Sequence, residues 1–144
     1  MASSISGRGT AIGLTAIAAG AAVATLWVNA APRTAGCPGS TVLPIINCAA
    51  VVSSAGSHLA GLPLGVWALF WLLGYWGAYR YAPRYHRYWS LLGIGGVVYA
   101  WSKEWAVHHL CLWCTVTQVA ILVLVGMTRW TKPVKTPRNK DSGC

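Results

Sequence analysis

The sequence predicts an all-α fold: an integral membrane four-helix bundle with an extracytoplasmic loop and a short half-helix between its first and second spans. Three observations carry that expectation. The 144 residues are 56% apolar and 9% charged, with nine Trp and only two acidic side chains, so a soluble fold would have almost no negative charge to solvate it. Mean hydropathy is +0.52, and several apolar runs approach the roughly 20 helical residues that cross a hydrocarbon layer of about 30 Å. The basic residues cluster as they do where charge reports orientation. The net charge of +9 would also suit nucleic acid. However, the aromatic-basic interleaving that single strands require is not visible, so contact with anionic lipid is the expectation instead. A chain this short holds one domain, placed at residues 11–128. Residues 1–10 form a cytoplasmic N-terminus, and 129–144 a basic, disordered cytoplasmic tail.

The first span is read over 11–28, an Ala-rich run closed by Trp27. A cleaved signal peptide is the rival reading, because Val28-Asn29-Ala30 resembles a small-residue cleavage site. The run is longer than the usual signal core, which favours a retained span. Residues 29–61 form a mixed loop in which Cys37-Pro38-Gly39-Ser40 is a turn signal. From Asn47, a plausible N-cap, the segment Cys48-Ala49-Ala50-Val51-Val52-Ser53-Ser54 reads as a short helix. Gly56 and Gly61-Leu62-Pro63 end it and lead into a second span over 62–79, which carries Trp67, Trp71 and Tyr75 on one face. A short basic turn holds Arg80, Arg84, His86 and Arg87. A third span over 89–101 contains Gly93-Ile94-Gly95-Gly96, glycines expected to let neighbouring helices approach. Ser102-Lys103-Glu104 marks the approach to the surface, and the fourth span covers 110–127.

With four spans, Arg8, Arg80, Arg84, Arg87, Arg129, Lys132, Lys135, Arg138 and Lys140 share one side, leaving Arg33 and Lys103 on the other. That imbalance puts both termini in the cytoplasm of a bacterial-type plasma membrane. The same topology sorts the cysteines. Cys37, Cys48, Cys111 and Cys114 face the extracytoplasmic side, where disulfides persist; Cys144 lies in the tail, cut off from them and without an assigned role.

Two structural disulfides would be the plain reading of four outward thiols. Cys111-Leu112-Trp113-Cys114 argues against it. A bridge closing so short a loop gains little chain entropy. A thiol at a helix N-terminus, by contrast, has its thiolate favoured by free N–H groups and the helix dipole. Cys37 lies in a Pro-Gly loop suited to attack from outside, while Cys48 begins the short helix near the point where Cys111 emerges. Thiol–disulfide exchange needs such a shuttle.

These residues together resemble the vitamin K epoxide reductase family, in particular its small bacterial members. The resemblance covers about residues 11–128 and rests on several features: Cys37 and Cys48, the serine Ser54 six residues after Cys48, Gly61-Leu62-Pro63, and Cys111-Leu112-Trp113-Cys114-Thr115. It implies a bundle around a quinone (a menaquinone, ubiquinone or vitamin K-like molecule). It also implies a relay in which an extracytoplasmic thioredoxin-fold partner of the DsbA kind reduces Cys37, Cys37 passes reduction to Cys48, Cys48 exchanges with Cys111, and Cys114 lies beside the quinone. Ser54 is implied near the quinone or the thiolate. Gln118 falls where the family carries His or Tyr to hydrogen-bond a quinone oxygen. An amide can donate to a carbonyl, but it supplies no mobile proton near neutral pH as His can. Ten residues separate Cys37 from Cys48, a longer loop than is common in the family, and Leu62-Pro63-Leu64 stands where an Asn donor would be expected.

The expected function is therefore a membrane thiol oxidoreductase with a quinone acceptor, supporting disulfide formation; reduction of a quinone or vitamin K epoxide is the alternative activity. Two readings of another class compete with it. One is a structural bundle stapled outside. The other is a metal-binding module built from Cys48, Cys111, Cys114 and one of His108 and His109, although those histidines read more simply as interfacial polar residues. Lys103 and Glu104 suggest a lid contact or an interfacial ion pair. Trp67 and Trp71 could wall a quinone or face lipid.

Overall fold

The computed structural model describes residues 2–32 and 37–130. The expectations for Arg33, for Cys144 and for most of the tail (131–144) lie outside the described residues. Four long helices and one short one account for most of the rest: α1 (Ala2–Ala30), α2 (Cys48–Val52), α3 (Leu64–Tyr81), α4 (Pro83–Val107) and α5 (Leu112–Trp130). At 1.5 Å per residue the long helices run from about 27 Å to about 43 Å. Each packs on two others in a closed ring: α1 against α5 and α3, and α4 against α3 and α5.

The core between them is apolar and closely fitted, with Ala18, Trp71, Leu72, Tyr75, Val97, Ala120, Ile121, Leu124 and Val125 buried together. The outward faces are apolar too. Ile12, Ile17, Val23, Leu73, Val98, Val119 and Val123 are all exposed, an amount of uncovered hydrocarbon that a water-soluble monomer seldom carries. By mean hydropathy one segment among the described residues, Gly9–Ala30, is long and apolar enough to cross a membrane, and Leu112–Met127 is a shorter apolar helix. The other two long helices score lower because α3 and α4 are rich in Trp and Tyr and carry Arg80, Arg84 and Arg87.

Several boundaries differ from those read in the sequence, each for a local reason. The helix of the first span takes in residues 2–10. The basic turn is almost absent: α3 ends at Tyr81, Ala82 alone links it to α4, and Pro83 starts α4 because its fixed φ and missing N–H suit a first helical position. Helix α4 also runs past Trp101 to Val107, stopped by His108 in the left-handed region (φ 57°), so Ser102-Lys103-Glu104 belongs to the helix and Glu104 is buried. Helix α5 continues through residues 129 and 130, beyond the start of the tail that composition predicts.

The fold is not wholly α-helical. Between α2 and α3 lies a two-stranded antiparallel hairpin, β1 (His58–Leu59) with β2 (Leu62–Pro63). Its two turn residues, Ala60 (φ 53°) and Gly61 (φ 80°), both have the positive φ that a two-residue hairpin turn of matching twist demands.

Of the glycines in the third span, Gly93 alone is at a close approach. A Cβ there would collide with the Trp71 indole, and one at Gly74 with the Trp89 indole. The two rings interlock α3 and α4: Trp71 Nε1 donates to the Trp89 carbonyl and Trp89 Nε1 to the Trp71 carbonyl, each at 2.9 Å. Gly95 and Gly96 meet no neighbour; they border the cavity described below.

Candidate redox site

The site is assembled at the end of the helices where α2 packs on α1 and α4. Asn47 caps α2 as its position suggests, its side-chain oxygen accepting from Ala50 N at 3.0 Å. That cap sets Cys48 as the first residue of the helix. The strand-like segment just before it docks on the residues just before Cys111. Leu110 N donates to Ile45 O at 2.9 Å, and Asn47 N donates to Leu110 O at 3.0 Å. The result is a parallel bridge between Ile46 and Leu110. Four backbone atoms thus hold the two halves of the site in register, and Cys48 and Cys111 are buried in one cluster with Val28, Val51 and Val52.

Cys37 and Cys48 form a disulfide, with Cα atoms 5.6 Å apart. Cys48 is buried and Cys37 half-buried, so the outer sulfur is the one a large partner can reach. Cys111 and Cys114 are free thiols, with sulfurs 2.6 Å apart. Cys111 is the N-cap of α5. Its carbonyl accepts from Thr115 N at 2.9 Å, and its sulfur accepts from the Cys114 N–H at 3.3 Å, in the manner of a capping side chain satisfying an orphan donor. The Cys111 thiol is held below its ordinary range, chiefly because the Cys114 thiol donates to its sulfur. Burial opposes this, the Cys114 and Trp113 N–H groups assist, and the Glu104 carboxylate opposes.

Below this pair lies a cavity of about 620 Å³, within the usual range for a small-molecule site. Cys114 lines it; Cys111 does not. Its walls are mostly apolar and aromatic, with Trp67, Phe70, Trp71 and Ile121 among them, so the two tryptophans do face a cavity. Trp67 is pinned there by its Nε1 donating to Leu59 O at 3.0 Å. Gln118, one turn below Cys114 on α5, lines the cavity and is buried. Its Nε2 donates to Glu104 Oε1 at 3.0 Å, while its own Oε1 is buried with no partner among the described residues. An apolar slot with aromatic walls fits a quinone ring, and the Gln118 N–H not used on Glu104 is a donor for a quinone carbonyl oxygen.

The structure also relocates some residues. Ser54 does not line the cavity. Its hydroxyl donates to Val51 O at 2.7 Å, and the serine on the cavity wall is Ser57, whose hydroxyl is bonded back to Val52 O and Ser54 O. Ser53 is exposed and bonded to Ala49 O. Lys103 and Glu104 do not pair. The Lys103 ammonium lies 5.0 Å from the centroid of the Tyr99 ring, while Glu104 turns inward to Gln118. Sequence reasoning gave no role to Thr25, which borders the cavity with its hydroxyl donating to Ala21 O at 2.9 Å; a threonine within an Ala-rich span was its only signal. Among the described residues no three of His, Cys, Asp and Glu gather as a metal site.

The model of the Vitamin K epoxide reductase family matches residues 9–129, which take in α3, α4, most of α1 and α5, and both cysteine pairs. No curated protein and no solved structure matches the chain. The chain belongs to the vitamin K epoxide reductase family of membrane oxidoreductases.

Proposed function

We propose that the protein is a quinone-dependent thiol oxidase of the plasma membrane. In this reading α1, α3, α4 and α5 span the bilayer as a four-helix bundle, both termini are cytoplasmic, and the cysteines face outward. The exposed apolar faces support the spans. Trp27, Trp101 and Trp105, exposed towards the cysteine-bearing ends of their helices, suit an interfacial belt.

The observation that carries the redox reading is the division of labour among four sulfurs. An oxidised pair is reachable at Cys37, and a reduced pair touches the cavity through Cys114 alone. A reduced thioredoxin-fold partner attacks the Cys37 sulfur, and the partner's second thiol then resolves the mixed disulfide. The partner leaves oxidised, and Cys37 and Cys48 are left as thiols. Once the quinone has oxidised the inner pair, the Cys48 thiolate attacks Cys111 and breaks the Cys111–Cys114 disulfide; the Cys37 thiolate then resolves the Cys48–Cys111 bond, which leaves Cys111 and Cys114 as thiols and re-forms the outer disulfide. A bound quinone supplies the sink for two electrons and two protons. Cys114 presents the pair to that sink, Gln118 offers an N–H to a quinone oxygen, and the aromatic walls exclude water.

The test is turnover of the purified protein with a reduced thioredoxin-fold dithiol and a quinone. Activity that Cys114→Ala abolishes supports the reading, and unchanged turnover in that variant overturns it.

A further inference from the structure

The long helices bury one carboxyl group, and the thiol relay gives it no task. Glu104 is 4% exposed, lies on the cavity wall, and has a single hydrogen-bond donor, Gln118 Nε2 at 3.0 Å. Burying a carboxyl group in apolar surroundings is costly, and inside a bilayer such a group marks a working site more often than a structural one. Its neighbour Lys103 does not neutralise it, because that ammonium is turned onto the Tyr99 ring and its stem packs over Gly56. The chain has only two acidic side chains, the other being Asp141, so this burial spends half of them on one position.

We propose that Glu104 is the proton carrier of the Cys114 cavity, taking protons from the dithiol and handing them to the electron acceptor, with Gln118 steering the carboxyl group. The proposal rests on the reading that Cys114 faces a quinone. Closing the Cys111–Cys114 disulfide breaks two S–H bonds and forms one S–S bond. Two electrons go to the acceptor, and two protons must follow to its two oxygens. Glu104 as carboxylate accepts a proton from the thiol side, releases it as carboxylic acid to the cavity, and repeats the cycle for the second, ending as it began. Gln118 is suited to both states. Its N–H donates to the carboxylate, as seen, and its unpartnered Oε1 can accept from the carboxylic acid once the amide turns over, which directs the NH₂ into the cavity. The amide has no mobile proton of its own, and a carboxyl group one hydrogen bond away supplies what it lacks.

The ionisable groups nearest to Glu104 are Cys111 and Cys114 at the head of α5, His58 after α2, Tyr99 and Lys103 on α4 itself, and His108 and His109 between α4 and α5. His58 is engaged with Ser57, its Nδ1 3.0 Å from the hydroxyl.

Glu104→Gln keeps the hydrogen-bonding shape and removes the proton. It should leave the Cys37–Cys48 disulfide, the two free thiols and the quinone KM unchanged, while kcat falls about 10²-fold or more, as for loss of a general acid–base group. Glu104→Asp should recover part of the rate. As a readout separate from the steady-state rate, rapid-scan infrared difference spectra of the wild-type dithiol protein mixed with a naphthoquinone should show a transient carboxylic-acid C=O band, present during the reaction and gone at its end, that Glu104→Gln lacks. With Asp141 the only other acidic side chain, the assignment is direct. A Glu104→Gln rate within about twofold of wild type, or a wild-type spectrum without that band, overturns the proposal. If Cys114→Ala is dead while Glu104→Gln is fully active, only the proton role fails; if Cys114→Ala is active, the quinone reading itself fails. Should Glu104→Gln not fold, the wild-type spectrum still decides.

Discussion

Gly93 and Gly95 are two residues apart on α4, yet an added methyl group should have opposite consequences at the two positions. At Gly93 a Cβ would fall on the Trp71 indole, below any distance that real Cβ atoms show. The ring cannot yield freely, since its Nε1 is bonded to the Trp89 carbonyl and the Trp89 indole answers from the other side. Gly93→Ala must therefore overpack the contact, at about 1–3 kcal/mol, and loosen or lose a hydrogen bond worth about 1 kcal/mol. The sum is about 2–4 kcal/mol of destabilisation. At Gly95 a Cβ meets nothing within 4 Å and projects into space bordering the cavity. There stability should hold or rise by up to about 1 kcal/mol from helix propensity, while the quinone KM increases as the cavity narrows. The assay is denaturant unfolding of both variants in detergent, paired with steady-state kinetics against quinone. A Gly93→Ala protein within about 0.5 kcal/mol of wild type, the usual spread for substitutions without a packing role, would refute the interlock as a source of stability.

Other outcomes follow from single contacts. Asn47→Ala removes the cap that sets Cys48; it should cost about 1 kcal/mol and slow exchange between the cysteine pairs, read by rapid alkylation at timed intervals. Ala60→Asn should stabilise the protein by up to about 1 kcal/mol, because Ala60 sits at positive φ in a turn that favours Asn-Gly; unfolding in detergent measures it. The Cys111 thiol is held low first of all by the Cys114 thiol hydrogen bond. As pH falls, its thiolate should therefore persist below the ordinary thiol range and then be lost. In Cys114→Ala that loss should move to higher pH, whereas Cys114→Ser, which keeps a hydroxyl donor, should stay closer to wild type. Thiolate absorbance, titrated in a Cys37→Ser/Cys48→Ser background so that Cys111 stays a free thiol, and against a Cys111→Ala control, reads the shift.

The helices, the cap of α2 and the reactive placement of Cys111 and Cys114 were legible in the sequence because each rests on a local signal: apolar runs, an Asn cap, a Cys-x-x-Cys at a helix entrance. Which cysteines are joined was not, since four allow three full pairings. Cys114 could be placed one turn deeper than Cys111 from helical spacing alone, and the cavity lining agrees. What escaped depends on contacts between distant segments. The basic residues after Tyr81 resemble a loop by composition, yet Pro83 lets α4 start at once. Glu104 looked interfacial because the sequence around it is polar, and its burial depends on Gln118 arriving from α5. Ser54 and Ser57 are close in sequence and alike in chemistry; the path of the chain after α2 decides which one meets the cavity.

The relay from the outer pair to the inner pair is the central claim, and mapping the disulfide trapped in Cys114→Ser tests it most directly. Without Cys114 the Cys111 thiolate can attack the outer disulfide but cannot be resolved by its own partner. The account predicts a Cys48–Cys111 bond with Cys37 released as a free thiol, because Cys48 and Cys111 share a buried cluster. A Cys37–Cys111 bond, or an outer disulfide that persists untouched beside a free Cys111, would contradict it.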